Sequence, residues 1–131
     1  MSVGALLLGG IIYLTFRTSQ IVLFRAIKLI GWEEHLNQWR QAINLSLPQW
    51  AIFCLPDALW ASAYILIIDT LLNKYTLKTK LIVASIIPSI GIVSELMQAL
   101  QLLPGTFDIF DIVAYSVPFL LYIFINLTIT K

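Results

Sequence analysis

Asp57, Glu95, Gln98, Asp108 and Asp111 are the side chains of this sequence best placed to do chemistry. Glu95-x-x-Gln98 and Asp108-x-x-Asp111 flank a tight turn at Pro104-Gly105, and both flanks are otherwise apolar enough for lipid. Acids in such surroundings are costly and need a structural or functional reason. Asp57, Glu95, Asp108 and Asp111 cannot all stay charged in a confined space without cations or protons. Arginine or backbone N–H groups would satisfy them. Protonation would neutralise some of them. They would also suit Mg²⁺, Mn²⁺ or Ca²⁺, which prefer oxygen ligands. A structural account stands beside these. Asp108 and Asp111 are spaced as a helix N-cap and a first-turn acid, Glu95 and Gln98 can bond to that turn, and Asp57 follows Pro56 where a helix would start.

The elements that carry these residues are apolar. The chain has 131 residues, 60% hydrophobic and 11% charged, with a mean hydropathy of +0.90. A soluble domain carries roughly 25% charged residues. The expectation is an all-α integral membrane protein, a small bundle of about four transmembrane helices. Residues 1–16 form the first span. No Lys or Arg precedes it and no small-x-small cleavage site follows, so it reads as a retained helix rather than a signal peptide. Residues 17–50 form an amphipathic, interfacial connection between the first and second spans. In it Arg17, Gln20, Arg25 and Lys28 share one broad face, although Ile21 and Phe24 intrude on it. Gly31 breaks that pattern, and Trp32 to Arg40 is the most polar stretch of the chain, with tryptophans suited to the headgroup level. Residues 51–72, 81–103 and 109–130 are the further spans.

Two stripes are expected to face inward. Pro88, Gly91, Glu95, Gln98 and Leu102 share one face of the third span, and Pro88 with Gly91 predicts a kink or a close contact. Asp108, Asp111, Tyr115, Pro118, Tyr122 and Asn126 share one face of the fourth. In an antiparallel arrangement, span order alone brings Asp57, Glu95, Gln98, Asp108 and Asp111 to one membrane face. If the first helix also crosses, Arg17 or Arg40 can neutralise part of the cluster. Asp69, near the opposite face, has Lys74 and Lys78 as partners for a structural pair. Cys54, inside an apolar run, reads as a packed small hydrophobe, and His35 as a surface histidine. One cysteine excludes an internal disulfide framework and a Cys-based zinc site. The net charge of +1 gives no reason to expect a nucleic-acid partner. Lysines ending the spans at Lys74, Lys78 and Lys80 favour that side as cytoplasmic and the acidic face as external.

The pattern Glu95-x-x-Gln98, a short linker, then Asp108-x-x-Asp111 at a helix start resembles the VanZ-like membrane protein family. Leu55-Pro56-Asp57-Ala58-Leu59-Trp60 looks like an upstream element of a divergent branch. The resemblance covers roughly residues 55 to 118. It departs at Gly105, where the family pattern has arginine, at Tyr115, where it has asparagine, and at Pro118, where it has glycine. Members are small multi-span bacterial proteins, named after one linked to teicoplanin resistance. The resemblance implies a place in the bacterial cytoplasmic membrane and a role in the cell envelope.

Three functions follow as expectations. In the first, the acidic site at one membrane face binds an envelope component, a lipid headgroup or a glycopeptide-type ligand. In the second, the chain is a metal-dependent enzyme acting on a lipid-linked phosphate, with the metal held by Asp57, Glu95, Asp108 and Asp111. Against it, no Arg or Lys lies within the acidic turn to take the phosphate, and no Ser-His or Cys-His pair is available in the spans. In the third, the chain is a small accessory subunit of a larger membrane-protein complex. Membrane lipid is an expected partner in all three, and no cofactor is identified.

Overall fold

The computed structural model describes residues 2–17 and 22–129. Gln20 and Ile21 of the expected basic face, and Thr130 and Lys131 at the other end, lie outside the described residues. The elements are α1 (Ser2–Phe16), α2 (Val22–Leu29), α3 (Glu33–Ala42), α4 (Gln49–Phe53), α5 (Leu55–Leu71), α6 (Leu77–Ala84), α7 (Ile86–Ala99) and α8 (Ile109–Ile129). No strand occurs among the described residues, so the all-α expectation holds. α1 packs on α5, α5 on α8, and α8 on α7.

Among the described residues two stretches are long and apolar enough to cross a membrane: Leu77–Ala99, which joins α6 and α7 through Ser85, and Ile109–Thr128 in α8. The first has 23 residues, about 35 Å at roughly 1.5 Å per residue. The expectation of about four such helices is therefore corrected to two. α1 has only 15 residues. The expected span 51–72 is broken at Cys54, because Pro56 offers no N–H to the preceding turn; α5 beyond it has 17 residues. Pro88 works in the same way on the third span and separates α6 from α7 at Ser85. That span also ends earlier than residue 103. Leu102 N donates to Met97 O at 2.9 Å and Gln101 N to Gln98 O at 2.9 Å, a Schellman cap that stops α7 at Ala99. Leu102 is accordingly exposed, off the inward stripe. The connection 17–50 is more helical than expected, since α3 forms within the polar stretch. α2 closes on the same cap type, with Gly31 at φ +75° and Trp32 N donating to Ile27 O at 3.2 Å.

The core is built from small residues and the exterior from large apolar ones. Ala61, Ala63, Ala84, Ala114, Pro56 and Pro88 are buried, with Ile65 and Tyr122. Ile82, Ile90, Val93, Val113, Val117, Leu120 and Phe124 are exposed. Only 22% of the Leu77–Ala99 window and 11% of the α8 window are buried. A core helix of a water-soluble domain would be mostly buried, so this distribution suits helices whose surroundings are apolar.

Small residues also set the helix spacing. A Cβ on Gly9 would lie 2.7 Å from Trp60 Nε1, so α1 approaches α5 closely. Trp60 Nε1 donates to Leu6 O at 3.4 Å, and the Trp60 and Tyr13 rings lie 5.1 Å apart. A Cβ on Gly91 would lie 2.6 Å from Cδ2 of Tyr115, which fixes the approach of α7 to α8. Pro88, Gly91 and Glu95 are buried and Gln98 is half-buried. On α8, Asp111, Tyr115, Pro118, Tyr122 and Asn126 turn inward while Val113, Val117 and Leu121 do not. Both stripes read from the sequence therefore face inward over their helical length.

Candidate functional site

The acidic end of the bundle is assembled from the starts of α5 and α8 and the end of α7. Asp57 occupies the first turn of α5, two residues after its first helical position and next to the buried Pro56. Asp108 caps α8: its Oδ1 accepts from Phe110 N at 2.9 Å. Its own N–H donates to Glu95 Oε2 at 3.1 Å, and Glu95 Oε1 accepts from Gln98 Nε2 at 3.3 Å. Glu95 is only 6% exposed, yet both of its oxygens are used. Gly105 completes this knot. It has φ +142°, and a Cβ there would lie 2.6 Å from Gln98 Oε1. An arginine at this position would meet both the backbone conformation and Gln98.

Asp57 and Asp111 stand apart from the knot. Asp57 lies in the field of Asp111 and Glu95, Asp111 in that of Glu95 and Asp108, and each is opposed by Arg17. Asp111 Oδ1 is buried with no hydrogen-bond partner among the described residues. No ion pair within 4.0 Å joins these acids to a cation among the described residues.

Arg17 reaches this end from the C-terminus of α1. Its Nη2 donates to Phe53 O at 3.2 Å, a carbonyl released by the break at Cys54, and its guanidinium lies 5.3 Å from the Tyr13 ring centroid and 4.7 Å from that of Phe53. Its Nε is buried and unpartnered among the described residues. Arg40 is engaged elsewhere: its Nε donates to Thr15 O at 2.9 Å, and Trp39 Nε1 donates to Thr15 Oγ1 at 3.3 Å. These bonds hold α3 against the same end of α1.

The five residues singled out by sequence are thus brought together, but they divide into two sets. Glu95, Gln98 and Asp108 bond to one another and to the turn. Asp57 and Asp111 retain open acceptor capacity. Sequence reasoning missed Cys54, which does not act as a plain core hydrophobe. Its Sγ and carboxylate oxygens of Asp108 and Asp111 all lie within 4.8 Å of one another. No signal near Cys54 in the sequence points to Asp108 and Asp111, because the three meet only through the packing of the α4–α5 break on the start of α8.

At the other end, Asp69 Oδ1 accepts from Lys80 Nζ at 2.9 Å and from Tyr122 OH at 2.8 Å. The structural pair expected for Asp69 is present, with Lys80 as the partner in place of Lys74 or Lys78. His35 is exposed on α3, as expected. No protein-family model, curated protein or solved structure matches this chain.

Proposed function

We propose that the chain is a VanZ-like membrane protein of the bacterial cell envelope, with an acidic site at one membrane face that binds a cationic or zwitterionic envelope component. The observation that carries this reading is the division within the acid cluster. Glu95, Gln98 and Asp108 have their bonds, whereas Asp111 keeps a buried carboxylate oxygen open beside Asp57. A purely structural knot would leave no such acceptor, because an unmatched buried carboxylate destabilises the fold. The apolar exterior supports placement in the cytoplasmic membrane.

The test compares two pairs of variants in cells. Asp57→Asn and Asp111→Asn should abolish tolerance to glycopeptide or envelope stress while the protein accumulates normally. Glu95→Gln and Asp108→Asn should lower accumulation instead. Normal tolerance in both members of the first pair would reject the reading.

A second reading, a metal-dependent enzyme on a lipid-linked phosphate, is favoured by the Cys54, Asp108 and Asp111 grouping within 4.8 Å. Thiolate with two carboxylates suits a borderline divalent ion. It predicts Mn²⁺ or Zn²⁺ binding by the purified chain that disappears in both Cys54→Ser and Asp111→Asn. Absence of binding by the unaltered chain would remove this reading and leave the first in place.

A further inference from the structure

An apolar groove of about 430 Å³ runs between the α4–α5 segment and α8. Trp50, Leu55 and Ala58 form one wall, and Phe110, Val113 and Val117 form the other. At Trp50, Cys54 and Phe110 it adjoins a second hollow of about 220 Å³, which Gln49 and Asp108 also line. Cys54 Sγ lies within 4.8 Å of carboxylate oxygens of Asp108 and Asp111. The groove is therefore apolar along its length and acidic at one end.

The charges at that end are not balanced by the chain. Asp57, Glu95, Asp108 and Asp111 share one end with Arg17. Two buried side-chain atoms there have no hydrogen-bond partner among the described residues: Asp111 Oδ1, an acceptor, and Arg17 Nε, a donor. Their carriers have opposite charge. Both atoms are enclosed while their side chains are partly exposed, and a ligand that complements the exposed parts would bring an ammonium toward the carboxylate and an anionic oxygen toward the guanidinium.

We infer that this groove holds one acyl chain of an amine-bearing zwitterionic phospholipid, with its ammonium at Asp111 and Asp57 and its phosphate toward Arg17. The inference rests on the acidic-site reading above and gives that site its ligand class. An acyl chain fits the apolar walls because it carries no polar atom to leave unsatisfied. A primary ammonium fits the acids better than a quaternary one, because it donates hydrogen bonds as well as charge. An anionic lipid lacks the cation and would meet the acidic cluster with like charge.

Trp50 lines both hollows and reports on their contents. The full chain would be reconstituted into phosphatidylcholine vesicles containing either phosphatidylethanolamine or phosphatidylglycerol with brominated acyl chains. Quenching at Trp50 is the difference between the unaltered chain and Trp50→Phe. Phosphatidylethanolamine should quench at a mole fraction about tenfold lower than phosphatidylglycerol, the factor that a single charge-assisted contact supplies. Asp111→Asn should erase the difference between the lipids. Val117→Phe, which fills the groove from an exposed position, should weaken quenching by both. Equal quenching by the two lipids overturns the lipid assignment, as does a preference that survives Asp111→Asn. If the envelope phenotype is still lost in Asp111→Asn, the acidic-site reading stands without this lipid. If that phenotype is also unchanged, both fall.

Discussion

The two ends of the bundle treat carboxylates in opposite ways. Asp69 has one lysine and one tyrosine on the same oxygen, and the Tyr122 that completes it is packed in the core with Ile65 and Ala84. Charge and hydrogen-bond capacity are matched within that contact. At the other end, four carboxylates share Arg17, whose guanidinium is committed to the Phe53 carbonyl and to two rings. Backbone N–H groups and Gln98 satisfy Glu95 and Asp108, and the remainder is left at Asp111. A carboxylate in an apolar bundle is thus no guide to function by its presence alone. Whether its acceptor capacity is filled by the chain separates Asp69 from Asp111.

The proline breaks differ in parallel. At Pro56 the released Phe53 carbonyl takes Arg17 and brings a cation to the acids. At Pro88 the neighbouring carbonyls take neutral hydroxyls, Val83 O from Tyr64 OH at 2.6 Å and Ile82 O from Ser85 Oγ at 2.8 Å. The same backbone problem is solved by a charge at one break and by neutral donors at the other.

Four substitutions sharpen or break this contrast, each read as a stability change of the purified chain in detergent. Gly105→Arg should cost the most, about 3 kcal/mol, because a side chain there meets both a positive φ and Gln98. Tolerance of arginine would mean the knot at Glu95 and Gln98 is looser than described. Lys80→Met should cost about 1–2 kcal/mol by leaving Asp69 with Tyr122 alone. The figure is kept below that for a fully buried pair because the Asp69 side chain is 39% exposed. Asp111→Asn should be neutral or stabilising by up to about 1 kcal/mol, since it removes a like charge beside Asp57 and Glu95. A loss as large as that of Lys80→Met would make Asp111 a second Asp69 and erase the distinction between the ends. Gln101→Gly should give the smallest change, a gain of about 0.5 kcal/mol. Gln101 holds φ +59° at the position of the α7 cap that Gly31 occupies in α2. A loss there would show that the Gln101 side chain makes a contact that outweighs its backbone strain.

Much of the site was legible in the order of the residues. The inward stripes of α7 and α8 follow from a helical period in which polar or small residues recur at three and four positions, and an apolar setting leaves them only the bundle interior. The cap role of Asp108 follows from local chemistry, because a short acid before a helix finds the free N–H groups of its first turn. Other features were not local. Gln101 in the left-handed region is not favoured by its own residue type, so the end of α7 at Ala99 could not be read from the apolar run through Leu103. α3 forms in the polar stretch where it is held to Thr15 by Trp39 and Arg40, partners more than twenty residues away in sequence. Cys54 looked like a core residue because nothing near it in sequence names Asp108 and Asp111.

Sequence alone determined the class of the protein and one end of its design. Long apolar runs with a helical period point to helices, and alternation along the chain brings Asp57, Glu95, Gln98, Asp108 and Asp111 to one end. Only the tertiary structure decided which of those acids are spoken for. That depends on distances of about 3 Å between groups on different helices, set by Gly91 under Tyr115 and Gly105 against Gln98. Periodicity places a side chain on a face, but it carries no information about what stands opposite at hydrogen-bonding distance.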